Sequence, residues 1–107
     1  MTSTFYLKEP NSQKESLIYF SCYFKDEGKK FVYSTGETIL PAHWDQKSRI
    51  PNSKGKSKAS NRGVIKGQLN RYSDYFNEVR DRCTTMQVNF TSRLLKKEFD
   101  DKFKKTP

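Results

Sequence analysis

Residues 16–34, SLIYFSCYFKDEGKKFVYS, constrain the fold of this chain more than any other stretch. They are dense in β-forming residues and alternate with period two, the signature of paired strands with distinct faces. On the first strand Ile18, Phe20, Cys22 and Phe24 share one side, and Leu17, Tyr19, Ser21, Tyr23 and Lys25 share the other. DEGK at 26–29 reads as a hairpin turn in which Gly28 takes a positive φ. On the returning strand Phe31 and Tyr33 oppose Lys30, Val32 and Ser34. A lone hairpin is marginal in water, and its apolar face needs both a third strand and a cover.

TFYLKE at 4–9 supplies the strand, with Phe5 and Leu7 on the apolar side and Tyr6 and Lys8 on the other. The expected sheet therefore has one face of Phe5, Leu7, Ile18, Phe20, Cys22, Phe24, Phe31 and Tyr33. The cover is a helix over 61–83, where Ile65, Leu69, Tyr72, Phe76, Val79 and Cys83 recur at steps of four and three. Ser60 or Asn61 can cap its start, and Gly63 and Gly67 weaken its first turns. A second, shorter helix follows, with Thr91 as N-cap, Phe90 and Leu95 at the hydrophobic-staple spacing, and a stripe of Leu95, Phe99 and Phe103.

With only 107 residues, 33% of them hydrophobic but 14% aromatic, the chain can fill one modest core, built largely from rings. The expected fold class is α+β: a three-stranded antiparallel sheet, a long C-terminal helix on its apolar face, and a second short helix. The expected organisation is a domain over 1–85, with the sheet at 4–34, a tryptophan clasp at 35–45, a basic loop at 46–60 and the helix at 61–83. The second helix occupies 86–107 and could join to a further domain. The longest apolar cluster, LIYFSCYF, is far shorter than the roughly 20 residues of a membrane span. No secretory signal is read at the N-terminus, so Cys22 and Cys83 are expected to be free thiols in a reducing compartment.

The stretch FVYSTGETILPAHWD at 31–45 holds the only histidine and the only tryptophan. A metal centre needs several converging ligands, and His43 with Asp45 is too few; a nucleophile–base pair would have to use His43. Asp100-Asp101 belongs to a charged helix face, and the isolated glycines form no phosphate-cradling loop. No catalytic residues, metal or cofactor are expected. The structural reading is that Thr35-Gly36 turns the chain, Ile39 and Leu40 lead inward, Pro41 opens a short helical turn, Trp44 closes one end of the core and Asp45 bonds nearby backbone N–H groups. Surface recognition by Trp44 is the alternative.

The net charge is +9, spread as +1 over 1–34, +3 over 35–60 and +5 over 61–107, and favours polyanionic partners. The second sheet face carries Tyr6, Lys8, Tyr19, Ser21, Tyr23, Lys25, Lys30, Val32 and Ser34. Tyrosines interleaved with lysines on a narrow sheet suit a DNA major groove, phenols toward base edges and thymine methyls, lysines toward phosphates.

TFYLKEP, then SLIYFSCYFKDEGKKFVYSTGETILPAHWD, then an asparagine-bearing segment entering a long helix, resemble the N-terminal arm-type DNA-binding domain of Bacteroides-type tyrosine recombinases, the integrases of phages and conjugative transposons. The resemblance covers residues 4–45 and, more loosely, 61–83. It implies a three-stranded sheet with a helix on one face and the free face in the major groove of arm-type sites, using the nine residues named above. The family's catalytic Arg, His-x-x-Arg and nucleophilic Tyr lie in a later domain, and here His43 is followed by Trp44-Asp45-Gln46.

The resemblance thus implies arm-site binding by the N-terminal part of an integrase acting in DNA integration and recombination for a mobile element. Its expected setting is the nucleoid of a bacterial cytoplasm. The expected partners are double-stranded DNA and, through further domains, other recombinase subunits; the isolated domain is expected to be monomeric and off the membrane. The rival expectations are a protein-interaction module using the tyrosine-rich face, and nonspecific nucleic-acid binding.

Overall fold

A computed structural model describes residues 2–51 and 62–103, with the Arg62 side chain not among the described groups. Strands β1 (Ser3–Leu7), β2 (Ser16–Phe24) and β3 (Lys29–Ile39) form an antiparallel sheet in that order. Short strands β4 (Trp44–Asp45) and β5 (Ile50–Pro51) pair with each other, and helices α1 (Arg62–Met86) and α2 (Ser92–Phe103) follow. All eight residues assigned to the apolar sheet face are buried, as are the six of the α1 stripe. The α+β architecture read from the alternation is the one observed. The cap expected at Ser60 or Asn61, and most of the basic loop, lie outside the described residues.

The β2–β3 connection is a 3-10 turn at Lys25–Glu27 closed by Gly28 at φ +59°, so β2 ends one residue before Lys25. β3, by contrast, does not end at Thr35-Gly36. It bulges there and pairs on, with Tyr19 opposite Ser34 but Leu17 opposite Thr38. Thr35 holds the bulge: its Oγ1 donates to the Ile18 carbonyl at 2.7 Å and accepts the Glu37 N–H at 3.2 Å. The Tyr72 hydroxyl donates to the Thr35 carbonyl at 3.0 Å, and Gly36 takes φ +78°, which a side chain would strain. The expected turn is thus an irregularity that the sheet absorbs, because a buried hydroxyl and a phenol satisfy the backbone groups it disrupts.

Of the clasp expected over 35–45, the part from Pro41 onward forms as read, while residues 35–39 belong to β3. Pro41 starts a 3-10 turn at Pro41–His43, Trp44 is buried, and the Asp45 carboxylate accepts the Lys47 and Ser48 N–H groups at 2.9 and 3.2 Å. These contacts hold the Asp45 carboxyl below its usual value.

Both helices lie on the apolar face. Phe76 of α1 meets Phe20 at 5.5 Å between ring centroids, and Phe99 of α2 meets Phe20 and Tyr33 at 5.1 Å each. Leu95 and Phe99 belong to the same core as the sheet and α1. α2 is therefore part of the domain's core, and the division expected near residue 85 falls within one packed unit. α1 stops at a left-handed Gln87 (φ +56°), with Val88 N–H donating to the Cys83 carbonyl and Gln87 N–H to Thr84. Thr91 caps α2 as expected, its Oγ1 accepting the Leu94 N–H at 3.1 Å.

The start of α2 is also tied to the β2–β3 turn. Both Glu27 oxygens accept from Ser92, one from its N–H and one from its hydroxyl, each at 2.8 Å. These bonds, helped by the nearby Lys29 charge, hold the Glu27 carboxyl below its ordinary 4.5. A carboxyl depressed in the folded chain stabilises it above the unfolded value, and that contribution disappears as pH falls through the folded value. Melting temperature should therefore drop on acidification below about pH 5, and Glu27→Gln should flatten that drop. Parallel curves for the two proteins would show that the contact carries none of the pH dependence.

Candidate nucleic-acid interface

With both helices on one side, the second sheet face is left open apart from a rim at β1. Alternation puts side chains there, and strand pairing decides which meet. Tyr6 and Tyr19 are cross-strand partners, and their rings pack edge to face at 5.7 Å. Lys30 pairs with Tyr23 but extends over the Tyr6 ring, Nζ 4.6 Å from its centroid. That path crosses the central strand at Ser21, whose partners are Thr4 and Val32. It accounts for Ser21 being only 4% exposed. Burial, followed by the neighbouring Tyr19, pushes the Tyr6 phenol up, so it stays a neutral donor and acceptor.

The nine expected contact residues do not all stand together. Tyr6, Tyr19, Tyr23, Lys30, Val32 and Ser34 share the face, with Tyr23 55% and Val32 42% exposed. Ser21 is on the face but covered, so it is not a surface donor as expected. Lys25 belongs to the 3-10 turn and sits at the hairpin end instead of on the strand. Lys8 lies one residue past β1, exposed, with its N–H donating to the Leu17 carbonyl at 3.0 Å. Ser34 is half-buried, and its Oγ accepts the Gly36 N–H at 3.3 Å.

Two residues join the site that alternation could not reveal. The turn between β4 and β5 carries Gln46 and Arg49 to the β1 rim, where they line a shallow cleft of about 450 Å³ with Thr4, Tyr6, Pro10 and Lys30. Arg49 adopts φ +60°, its N–H donating to the Asp45 carbonyl at 2.7 Å. Asp45, followed by residues that its carboxylate can gather into a turn, was the available signal. Toward the other end of the face, Thr38 donates to the Glu15 carboxylate at 2.8 Å.

Burial pushes the Cys22 thiol up to about 12, so it sits in the core as a neutral thiol. Among the described residues no group of three or more His, Cys, Asp or Glu side chains is placed to hold a metal ion. No described helix is long and apolar enough to cross a membrane. Comparison with known proteins returns no matching family model, no matching curated protein and no matching solved structure.

Proposed function

We propose that this chain binds duplex DNA in a sequence-directed way, laying the open face of its three-stranded sheet in the major groove. We further infer the setting: recognition of arm-type sites as the N-terminal part of a tyrosine-type site-specific recombinase. One observation carries the DNA reading, namely an uncovered sheet face holding Tyr6, Tyr19 and Tyr23 around Lys30, with Arg49 at its rim. Three strands are about 10 Å across, and a B-DNA major groove is about 12 Å wide. The phenols are suited to base edges and thymine methyls, and the cations to phosphates. The arm-site assignment draws on the resemblance of residues 4–45, and strand cutting and rejoining would belong to other domains of such a recombinase.

The test is fluorescence anisotropy with labelled duplexes from the ends of the encoding mobile element, at two salt concentrations and with excess unrelated DNA. Binding that survives competitor and weakens with salt is the expected result. Binding erased by competitor would reduce the protein to a nonspecific nucleic-acid binder. No binding at either salt would overturn the DNA reading and turn attention to a protein partner for Tyr23 and Val32.

A further inference from the structure

A second cleft, of about 570 Å³, runs between the free edge of β3 and the first turn of α2. Lys29, Lys30, Val32, Ser92, Arg93 and Lys96 line it. Four of these are basic and none is acidic, though the Lys30 ammonium extends away over the Tyr6 ring and Lys96 is paired with Asp100, which leaves Lys29 and Arg93 as the cleft's unbridged charges. Two carboxylates stand close by, and both are engaged. Asp100 accepts from Lys96 at 2.8 Å and from the Tyr33 hydroxyl at 2.6 Å. Glu27 accepts twice from Ser92, so the helix terminus already has its anion. No salt bridge engages Lys29, Lys30 or Arg93 among the described residues.

The cleft is continuous with the open sheet face, because Lys30 and Val32 belong to both. We propose that it holds the phosphodiester backbone of one DNA strand while the sheet face lies in the major groove, an inference that rests on the function proposed above. A sheet about 10 Å wide in a groove about 12 Å wide places its edges against the groove walls, where the phosphates run. At the β3 edge those phosphates meet Lys29, Arg93 and Lys96. Such contacts fix position and orientation without reading sequence. α2 then has two roles, filling the core with Leu95 and Phe99 and presenting Arg93 and Lys96 to DNA.

The experiment compares wild type with Lys29→Gln, Arg93→Gln and Lys102→Gln, by anisotropy over a salt series, on an element-end duplex and on one of unrelated sequence. Lys102 is a control on the same helix, directed over the Tyr75 ring at 5.3 Å and outside the cleft. Lys29→Gln and Arg93→Gln should each flatten the log–log salt slope by about 0.9 and weaken binding to both duplexes alike. Lys102→Gln should leave the slope at its wild-type value. Cleft variants that behave like Lys102→Gln, while wild type still binds DNA, would overturn this inference and leave the sheet-face reading standing. A wild type that binds neither duplex would defeat the sheet-face reading, and the cleft's role would fall with it.

Discussion

Phe99→Ala should lower stability by about 3–5 kcal/mol, measured by urea unfolding with the intact chain. Phe99 is 0% exposed, and its ring lies within 6.2 Å of six others: Phe20, Phe31, Tyr33, Tyr72, Tyr75 and Phe103. Those rings come from β2, β3, α1 and α2, so truncation leaves a cavity at the junction of all four elements. The surrounding aromatics are rigid and cannot collapse into the space cheaply. A loss below about 1 kcal/mol would mean that α2 is only loosely docked. Such a result would also remove the platform on which Arg93 and Lys96 are held beside β3.

Tyr23→Ala should do the opposite: leave the fold intact and weaken recognition. Tyr23 is 55% exposed on the central strand near the hairpin end of the open face, so its loss should change stability by no more than about 0.5 kcal/mol. If its phenol meets base edges, affinity for the cognate duplex should fall roughly tenfold or more, corresponding to about 1–3 kcal/mol. Affinity for unrelated duplexes and the salt slope should stay near wild type, because no charge is removed. Tyr19→Ala should weaken recognition in the same direction, with an added small loss of stability from the Tyr6–Tyr19 edge-to-face contact. Unfolding of Tyr23→Ala would place that face in the core, and unchanged cognate binding would remove Tyr23 from the interface.

Much of this molecule was legible in its sequence because each element carries its own period. Alternation along 16–34 assigned the buried residues of the hairpin, Ile18, Phe20, Cys22, Phe24, Phe31 and Tyr33, to their observed side, and the four-three spacing from Ile65 to Cys83 named the buried stripe of α1. Thr91 and Asp45 were legible too, since a cap or a turn needs only a side-chain oxygen and backbone within a few residues. These are local matters, decided by covalent geometry and short-range hydrogen bonding.

What alternation could not supply was adjacency between distant segments. Thr35-Gly36 reads as a turn, yet the hydroxyl of Tyr72, 37 residues along, helps make it a bulge inside a longer strand. Ser21 reads as a surface residue until Lys30 crosses the central strand to reach Tyr6. Arg49 reads as part of a basic loop until the β4–β5 pairing swings it to the β1 rim. Lys29 and Arg93, 64 positions apart in the chain, share a cleft only because Phe99 and Leu95 dock α2 against the sheet. The two sheet faces and the helical stripes follow from residue order alone, because the side-chain periods of strands and helices are set by the backbone. Which charges stand together depends on how the apolar stripes pack, and packing is settled between elements, not within them.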